Sequence, residues 1–267
     1  MSDARALSEP HGWRVAHYAS LPSTNDEARR AAARGDPGRL WVVAAEQTAG
    51  RGRFGRVWAS PVGNLYASAL LIDPCAVANA PQLGFVAGVA LARAADDIGV
   101  TKAQLKWPND LVCGGAKIAG VLVESALGQT QRFEIIVGFG VNCASAPQGL
   151  AYPTQCLAAL LGRGAPPEIL FARLATRFDE ALALWCGGDN FAAIRLAWLE
   201  RAAYLGQSLT LSGPRGARVG RFEGLDASGR LQLRCEAGLE IIEAADVFFN
   251  PADNATSPAP SPKKAFS

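Results

Sequence analysis

The feature that most constrains this chain is the segment at residues 46–58, EQTAGRGRFGRVW. Its centre alternates glycines with arginines, at Gly50, Arg51, Gly52, Arg53, Gly55 and Arg56. Glycine permits positive φ and close backbone approach to a ligand, while arginine offers forked donors suited to phosphate. Glu46 is the only acidic residue between Asp36 and Asp73. We therefore predict a loop whose arginines lack acidic partners and which becomes ordered around an anion.

Two other interpretations of this segment have to be weighed. A solvated turn or a nucleic-acid contact has a similar composition, so the segment alone does not decide. The segment also matches Gly-x-Gly-x-x-Gly, which marks a dinucleotide site only between a strand and a helix. Residues 64–72, NLYASALLI, are typical of a strand. We therefore reject the dinucleotide interpretation.

Length and composition exclude several classes of protein. The 267 residues, of which 49% are hydrophobic, suffice for one large domain or for one domain plus a small module. The net charge of +2 gives no global field typical of a nucleic-acid binder. No apolar run is long enough to span a membrane, and the N-terminus lacks the apolar core of a signal peptide.

Cysteines and histidines limit the chemistry of the site. The six cysteines are widely spaced and form no Cys-x-x-Cys pair, which indicates reduced thiols in a cytoplasmic protein and disfavours a zinc or thioredoxin-type site. The only histidines are His11 and His17, close to the N-terminus. We therefore expect neither histidine catalysis nor a histidine metal site.

Hydrophobic periodicity and turn residues predict mixed strands and helices along most of the chain. Strands are predicted at 13–19, 40–47, 64–72, 117–123 and 133–142, with a hairpin turn at Gly114-Gly115. Helices are predicted from Thr24, which has capping-box spacing to Glu27, to Gly35, and over 79–99, 167–186 and 191–201. After Gly206, short alternating strands run to about Phe249, which is typical of a small SH3-type β-barrel.

Three groups of residues fit either a structural or a functional role. Ser23, Thr24 and Asn25 would cap a helix or line a small polar pocket. Lys117 opens a strand, where a lysine is commonly a solubility device and less commonly part of a site. The glycines on two successive strands would form bulges or open a flat slot on the sheet, and they are Gly120, Gly138 and Gly140.

Taken together, these stretches resemble the biotin protein ligases, the enzymes that attach biotin to carboxylases. The matching pieces occur in the order of the family: Ser23-Thr24-Asn25, Gln47, Gly50-Arg51-Gly52-Arg53-x-Gly55-Arg56-x-Trp58, Asn64-Leu65-Tyr66, Lys106-Trp107-Pro108-Asn109-Asp110, Lys117-x-x-Gly120-x-Leu122-x-Glu124 and Gly138-x-Gly140-Val141-Asn142. The resemblance covers about residues 13–249, and the joint spacing is far more specific than any single piece.

The resemblance implies an α+β fold. A mixed β-sheet flanked by helices would form a biotin/lipoate ligase-like catalytic domain over residues 1–205, followed by a small C-terminal SH3-like β-barrel over 206–250. Residues 251–267, rich in Pro, Ser and Ala, are expected to be a disordered tail. Only twelve residues precede the first predicted strand, so we expect a monofunctional form without the N-terminal DNA-binding domain, and no specific DNA partner.

The implied activity is that of an ATP-dependent ligase. Biotin would be activated as biotinyl-5'-AMP, with Mg²⁺ neutralising the phosphates, and then transferred to a lysine of the biotin carboxyl carrier domain of acetyl-CoA carboxylase or a related carboxylase. The resemblance implies no membrane partner and leaves open a monomer or a homodimer. The alternatives are a lipoate or octanoate ligase or transferase of the same fold and, from another class, a non-catalytic nucleic-acid module.

The resemblance assigns roles position by position. The residues implied in biotin binding are Ser23, Thr24, Asn25, Gln47, Arg51, Gly52, Arg53, Lys117, Gly120, Gly138 and Gly140. Those implied in ATP or adenylate binding are Arg51, Gly52, Arg53, Trp58, Lys106, Asn109, Asp110, Lys117 and Asn142. Lys117 and Arg53 are the expected catalytic residues, and no protein metal ligand is assigned, since Mg²⁺ would come with ATP. Phe54 departs from the pattern, because many family loops carry arginine there.

Overall fold

The structure, a computed structural model, describes residues 12–128, 131–213, 216–243 and 246–249. The chain divides into two units, Met1–Ala203 and Tyr204–Ser267. The predicted tail at 251–267 lies outside the described residues. Within the described ranges, no helix is both long and apolar enough to cross a membrane. All six cysteines are free thiols.

The first unit is built on a seven-stranded mixed sheet. Its strands are β1 (Arg14–Leu21), β2 (Leu40–Gln47), β3 (Leu65–Ile72), β4 (Ala103–Lys106), β5 (Asp110–Cys113), β6 (Ala116–Leu127) and β7 (Phe133–Val141). The spatial order is β1-β2-β3-β7-β6-β5-β4. Strands β1 and β2 are parallel and the other neighbours are antiparallel. The predicted mixed sheet is therefore confirmed.

Five helices accompany this sheet in the described part of the first unit. They are α1 (Thr24–Ala33), α2 (Leu83–Asp97), α3 (Leu157–Leu161), α4 (Pro167–Trp185) and α5 (Phe191–Leu199). The predicted start of α2 at residue 79 is wrong, because a 3-10 turn, Val77–Gln82, precedes the helix. Pro81 lies in that turn and disfavours a helical conformation at the residue before it. The short helix α3 was not predicted.

The start of α1 requires one correction. The N-cap is Ser23, whose hydroxyl accepts a hydrogen bond from the Asp26 backbone N–H at 3.4 Å. Thr24, the N-cap implied by the capping-box spacing, is already the first residue of the helix. Either hydroxyl suits an N-cap chemically, and the spacing from Thr24 to Glu27 indicated the wrong one of the two neighbours.

Alternation along the strands separates the two faces of the sheet. Val42 packs in a buried cluster with Ala28 and Ala31 of α1. Its neighbour Trp41 points the other way, where its ring centroid lies 5.5 Å from that of Phe178 on α4. Because successive strand residues point to opposite faces, α1 covers one face and α4 the other.

The second unit contains a five-stranded antiparallel sheet in its described residues. The strands are β8 (Ser208–Gly213), β9 (Gly216–Leu225), β10 (Leu231–Cys235), β11 (Gly238–Ile242) and β12 (Asp246–Phe249), in the order β11-β10-β9-β8-β12. Alternate residues such as Leu209, Leu211, Leu231 and Leu233 form its buried side. The period-two pattern thus predicted this all-β unit correctly.

Candidate functional site

The candidate site lies on the face of the sheet that carries α1. Gly120 of β6 is paired with Gly140 of β7, and Glu124 of β6 is paired with Ile136 of β7. Gly138 lies between Ile136 and Gly140 at the same alternation. Directly paired residues point to the same face, and Ile136 packs in the cluster with α1. The three predicted slot glycines and Glu124 therefore share this face.

A β-bulge brings Lys117 to the same face. Between the pair Leu111–Ala119 and the pair Val112–Lys117, strand β6 contains one extra residue. In a regular strand, Lys117 and Gly120 would point to opposite faces, because they are three positions apart, which is an odd offset. The extra residue reverses the alternation, and a Cβ atom at Gly120 would lie 3.5 Å from Lys117 Nζ.

The first residues of α1 form a buried polar cluster. Ser23, Thr24 and Asn25 are 3%, 4% and 4% exposed. The backbone N–H and the hydroxyl of Thr24 donate to Gln47 Oε1 at 2.8 and 3.1 Å. The Ser68 hydroxyl lies 2.7 Å from Thr24 Oγ1 and 2.6 Å from Asn25 Oδ1. The segment caps the helix and also gathers polar groups on the sheet, so both roles considered from the sequence have a structural basis.

The expectation that the loop arginines lack acidic partners is wrong for Arg51. Its guanidinium donates two hydrogen bonds of 2.8 Å to the Asp26 carboxylate and one of 3.0 Å to Glu124 Oε2. The hydrogen bond from Arg51 holds the pKa of Asp26 below its usual value. Asp26 and Glu124 in turn raise the pKa of Arg51. The acids are distant in sequence, on α1 and β6, and only the fold brings them to the loop.

The other two loop arginines gather around Phe54. The guanidinium carbons of Arg53 and Arg56 lie 4.9 and 5.6 Å from its ring centroid. Arg53 Nη1 also donates to Asn109 Oδ1 at 3.3 Å. The backbone N–H of Gly52 donates to the Arg56 carbonyl at 2.8 Å, so that this donor serves the turn of the loop. Phe54 thus contacts Arg53 and Arg56 and adds no fourth positive charge to the loop.

Trp58 covers two of the three slot glycines. A Cβ atom at Gly140 would lie 2.6 Å from the indole, and one at Gly120 would lie 3.3 Å from it. The buried indole Nε1 has no hydrogen-bond partner in the described part of the chain. Asn25 covers Gly138 in the same way. The glycines therefore make room on the sheet, as the slot hypothesis predicted, and here side chains of the chain itself occupy that room.

Lys117 is largely enclosed. Its Nζ lies 2.7 Å from Asp110 Oδ1, and its side chain is 16% exposed. The ammonium also lies 5.2 Å from the ring centroid of Trp58 and 5.7 Å from that of Tyr152. A lysine that only keeps a strand edge soluble would project into water, so this geometry disfavours the structural alternative.

The remaining predicted adenylate residues lie at the same end of the sheet. Asn142 is 2% exposed, and its Nδ2 donates to the Gln155 carbonyl at 3.2 Å. Asn109 Nδ2 donates to the Val121 carbonyl at 2.8 Å. Lys106 ends β4, in the row of paired positions that crosses β5, β6 and β7. The contacts of the two asparagines brace the backbone near Lys117.

Two family models match the chain, each over one of its units. Residues 19–142 match the Biotin/lipoate A/B protein ligase family, and residues 204–250 match the Biotin protein ligase C terminal domain. The chain is 39% identical over 241 residues to the biotin–[acetyl-CoA-carboxylase] ligase of Paracoccus denitrificans, covering 86% of this chain and 98% of that protein. The chain belongs to the biotin protein ligase family.

Solved structures of biotin protein ligases share the fold. The enzyme from Aquifex aeolicus in complex with biotin and ATP has a TM-score of 0.77 and 27% identity, covering 88% of this chain and 97% of that chain. The enzyme from Leishmania major in complex with biotinyl-5-AMP has a TM-score of 0.64 and 26% identity, covering 86% of this chain and 99% of that chain.

Several residues of this site have no role that could be predicted from the sequence. Ser68 carried a signal, since it is a hydroxyl within an apolar strand and is fully buried. Glu124 belonged to a family-like motif without a stated function, and Asp26 looked like an ordinary first-turn acid. Tyr152 lies in a segment without periodicity, so no local pattern identified it.

The described residues contain no group of three or more His, Cys, Asp or Glu side chains that could hold a metal ion. The carboxylates closest to the site are already engaged, Asp110 with Lys117 and Glu124 with Arg51. The side chains of the site therefore do not fit a resident metal centre.

Proposed function

We propose that this protein is a biotin–[biotin carboxyl-carrier protein] ligase that uses ATP. It activates biotin as biotinyl-5'-AMP and transfers biotin to a lysine of the carrier domain of acetyl-CoA carboxylase or a related carboxylase. The observation that carries the proposal is that Lys117, Trp58 and the polar start of α1 lie on one face of the sheet, over three glycines. The 39% identity to the Paracoccus ligase supports the same conclusion.

The polar start of α1 would hold the ureido group of biotin, with Ser23, Thr24 and Gln47 beside it. A ureido group presents a carbonyl acceptor and N–H donors, so its site needs both kinds of partner. Asn25 donates through Nδ2 to Glu124, and its Oδ1 lies within hydrogen-bond reach of Ser68. An amide has two donors and two acceptor positions, which leaves one of each for a ligand.

Lys117 and Arg53 would stabilise the charge that develops in the adenylation step. An ammonium has three N–H donors, and its ion pair with Asp110 leaves donors for the biotin carboxylate and the α-phosphate. The Arg53 guanidinium would add a forked contact to phosphate. The indole of Trp58 would lie beside the adenine. The further residues proposed around the adenylate are Gly52, Lys106, Asn109 and Asn142, and those around biotin are Gly120, Gly138 and Gly140.

The reaction proceeds in two displacements. The biotin carboxylate oxygen bonds to the α-phosphorus of ATP while the bond to pyrophosphate breaks. The neutral amine of the acceptor lysine then attacks the carbonyl carbon of the anhydride, AMP leaves, and the amine loses a proton. Neither step requires a nucleophile from this chain, so its residues act by positioning and by charge stabilisation. The closed loop would also exclude water from the anhydride.

Mg²⁺ and a cytoplasmic location complete the proposal. Mg²⁺ is commonly held by substrate phosphates with few protein ligands and would neutralise phosphate charge, so it would bind with ATP rather than at a site built by this chain. The six free thiols support a reducing compartment.

Pyrophosphate exchange tests the proposal. The purified chain should exchange labelled pyrophosphate into ATP when biotin is present and should biotinylate a carboxyl carrier domain, but not a carrier whose acceptor lysine is replaced by arginine. Lipoate and octanoate, tested in place of biotin in the same assay, serve as control substrates. The lipoate alternative is disfavoured because the ligases described above act on or bind biotin. Equal exchange with lipoate, or none with biotin, would contradict the proposed specificity.

A further inference from the structure

Glu124 joins three segments of the first unit. From β6, its carboxylate accepts hydrogen bonds from Asn25 Nδ2 at 2.7 Å and from Arg51 Nη2 at 3.0 Å. Arg29 Nη2 lies 3.1 Å from the same carboxylate. The Glu124 side chain is 25% exposed, so these contacts are partly shielded from water. One carboxylate therefore ties the sheet to the start of α1 and to the arginine loop.

The contact with Glu124 fixes which way the Asn25 amide points. An ionised carboxylate only accepts hydrogen bonds, so the NH₂ group of the amide must face it. At the other end, the Ser68 hydroxyl lies 2.6 Å from Oδ1, where it can donate. A flipped amide would place Oδ1 against the negative oxygens of Glu124. The contact with the Glu124 carboxylate therefore fixes the direction of the free donor and the free acceptor of Asn25.

Through its contact with Glu124, Arg51 attaches the arginine loop to the sheet. Arg51 donates through Nη1 and Nη2 to Asp26 and through Nε and Nη2 to Glu124. Two carboxylates balance its single positive charge, and most of its donors are directed at the protein. Arg51 is therefore better suited to holding the loop against α1 and β6 than to binding phosphate.

We propose that Glu124 is a positioning residue of the ligase site, which orients Asn25 toward biotin and holds the arginine loop closed through Arg51. This inference rests on the proposed function and extends it to a residue that touches neither the reacting carboxylate nor phosphate. It predicts that loss of Glu124 affects biotin recognition and loop closure together, because one side chain supports both.

Two substitutions separate the two contacts. Glu124→Ala removes both, whereas Glu124→Gln keeps an oxygen that can accept from Asn25 and loses the charge that holds Arg51. In biotin-dependent pyrophosphate exchange, Glu124→Ala should raise the KM for biotin about 10- to 100-fold, as expected for a lost hydrogen bond to a charged group, and Glu124→Gln should raise it less. The kcat should fall less than the KM rises in Glu124→Ala.

Limited trypsin cleavage without substrate gives a readout that does not depend on activity. Both variants should be cut in the loop at 50–58 faster than the wild type, because Arg51 has lost one of its two acidic partners. The matched control is Glu27→Gln, since Glu27 also bridges two arginines, but its carboxylate accepts from Arg30 and Arg34 rather than from the loop or from Asn25. It should leave the KM for biotin and the loop cleavage unchanged.

The outcomes separate this inference from the proposed function. If the wild type exchanges pyrophosphate with biotin while Glu124→Ala keeps the wild-type KM and cleavage rate, the positioning role is wrong and the function stands. If Glu27→Gln changes both quantities as strongly, Glu124 contributes only general stability and the inference is overturned. A wild type without biotin-dependent exchange would overturn the function and this role with it.

Discussion

Trp58 lies over Gly140 so closely that a Cβ atom on the glycine would come within 2.6 Å of the indole. Such a distance is well inside van der Waals contact, so only glycine fits at this position in this conformation. The same indole lies 5.2 Å from the ammonium of Lys117. Trp58, the last residue of the arginine loop, thus packs directly on the sheet, and its position depends on Gly140 of β7.

Gly140→Ala should displace Trp58 and impair the use of ATP. Overpacking of this kind typically costs about 1–3 kcal/mol. Because Trp58 is proposed to lie beside the adenine, we expect the KM for ATP in pyrophosphate exchange to rise about tenfold or more, and the KM for biotin to change less. Thermal unfolding of the variant reports any general loss of stability.

Gly138→Ala should have the opposite selectivity. The methyl group would meet the side chain of Asn25, which belongs to the polar cluster at the start of α1. We therefore expect a rise of about tenfold or more in the KM for biotin, with a smaller change for ATP. The two variants make the same chemical change on one strand, two residues apart, so each is the control of the other. If both variants changed the KM for biotin and the KM for ATP equally, the proposal that Trp58 lies beside the adenine and Asn25 beside biotin would be contradicted.

The strands and their faces could be predicted from the sequence because they depend on local patterns. Apolar runs and glycine positions placed β2, β3 and β7 within a residue or two of their observed bounds. The alternation along β7 then put Gly138 and Gly140 on one face. The combined spacing of the motifs that resemble the biotin protein ligases identified residues that the fold brings to one face, although each motif alone favoured a structural role.

The partners of the arginine loop could not be predicted from local patterns. Arg51 meets Asp26 and Glu124, which lie on different elements, so their contact depends on tertiary structure. The bulge that turns Lys117 to the site face leaves no distinct mark in a sequence of small apolar residues. Tyr152 approaches Lys117 from an irregular segment, where periodicity carries no information.

Lys117→Ala should nearly abolish adenylation. Removal of one donor that stabilises transition-state charge typically lowers the rate about 10²- to 10³-fold. Lys102→Ala, which changes an exposed lysine in the turn before β4, is the matched control and should keep wild-type exchange. A fall of less than about tenfold for Lys117→Ala, measured as kcat with saturating biotin and ATP, would show that Lys117 does not stabilise the reacting charges.

The ion pair between Arg51 and Asp26 should contribute stability that depends on pH. In the folded state, the pKa of Asp26 is below its usual value, chiefly because Arg51 donates a hydrogen bond to it. The contribution is therefore fully present above the unfolded pKa and is lost as the pH falls through the folded pKa. In urea unfolding, the difference between wild type and Asp26→Asn should be constant from about pH 7 to 5 and should shrink near pH 3. A difference that persists undiminished in acid would mean that charge is not its cause.

Trypsin should distinguish the loop arginines from one another. Arg51 is held by two carboxylates, whereas Arg56 is exposed and lies against the exposed ring of Phe54. Cleavage needs a segment that can leave its folded conformation, so the bond after Arg51, whose side chain is held by two carboxylates, should resist, and the bond after Arg56, whose side chain is exposed, should be cut before it. This differs from the expectation from the sequence, which was that all three loop arginines lack acidic partners.

Ligands should change this cleavage in a defined order. Biotin with ATP supplies the adenylate phosphate that the loop is proposed to enclose, and ordering the loop around it should protect the bond after Arg56. Biotin alone should protect it less, because it brings no phosphate. Arg163, exposed in the connection between α3 and α4, is an internal control whose cleavage should not respond to either ligand. Cleavage fragments followed by mass spectrometry measure both bonds in one sample. If the bond after Arg56 is cut at the same rate with and without both ligands, the loop does not close over the adenylate, and its glycines serve a fixed turn instead.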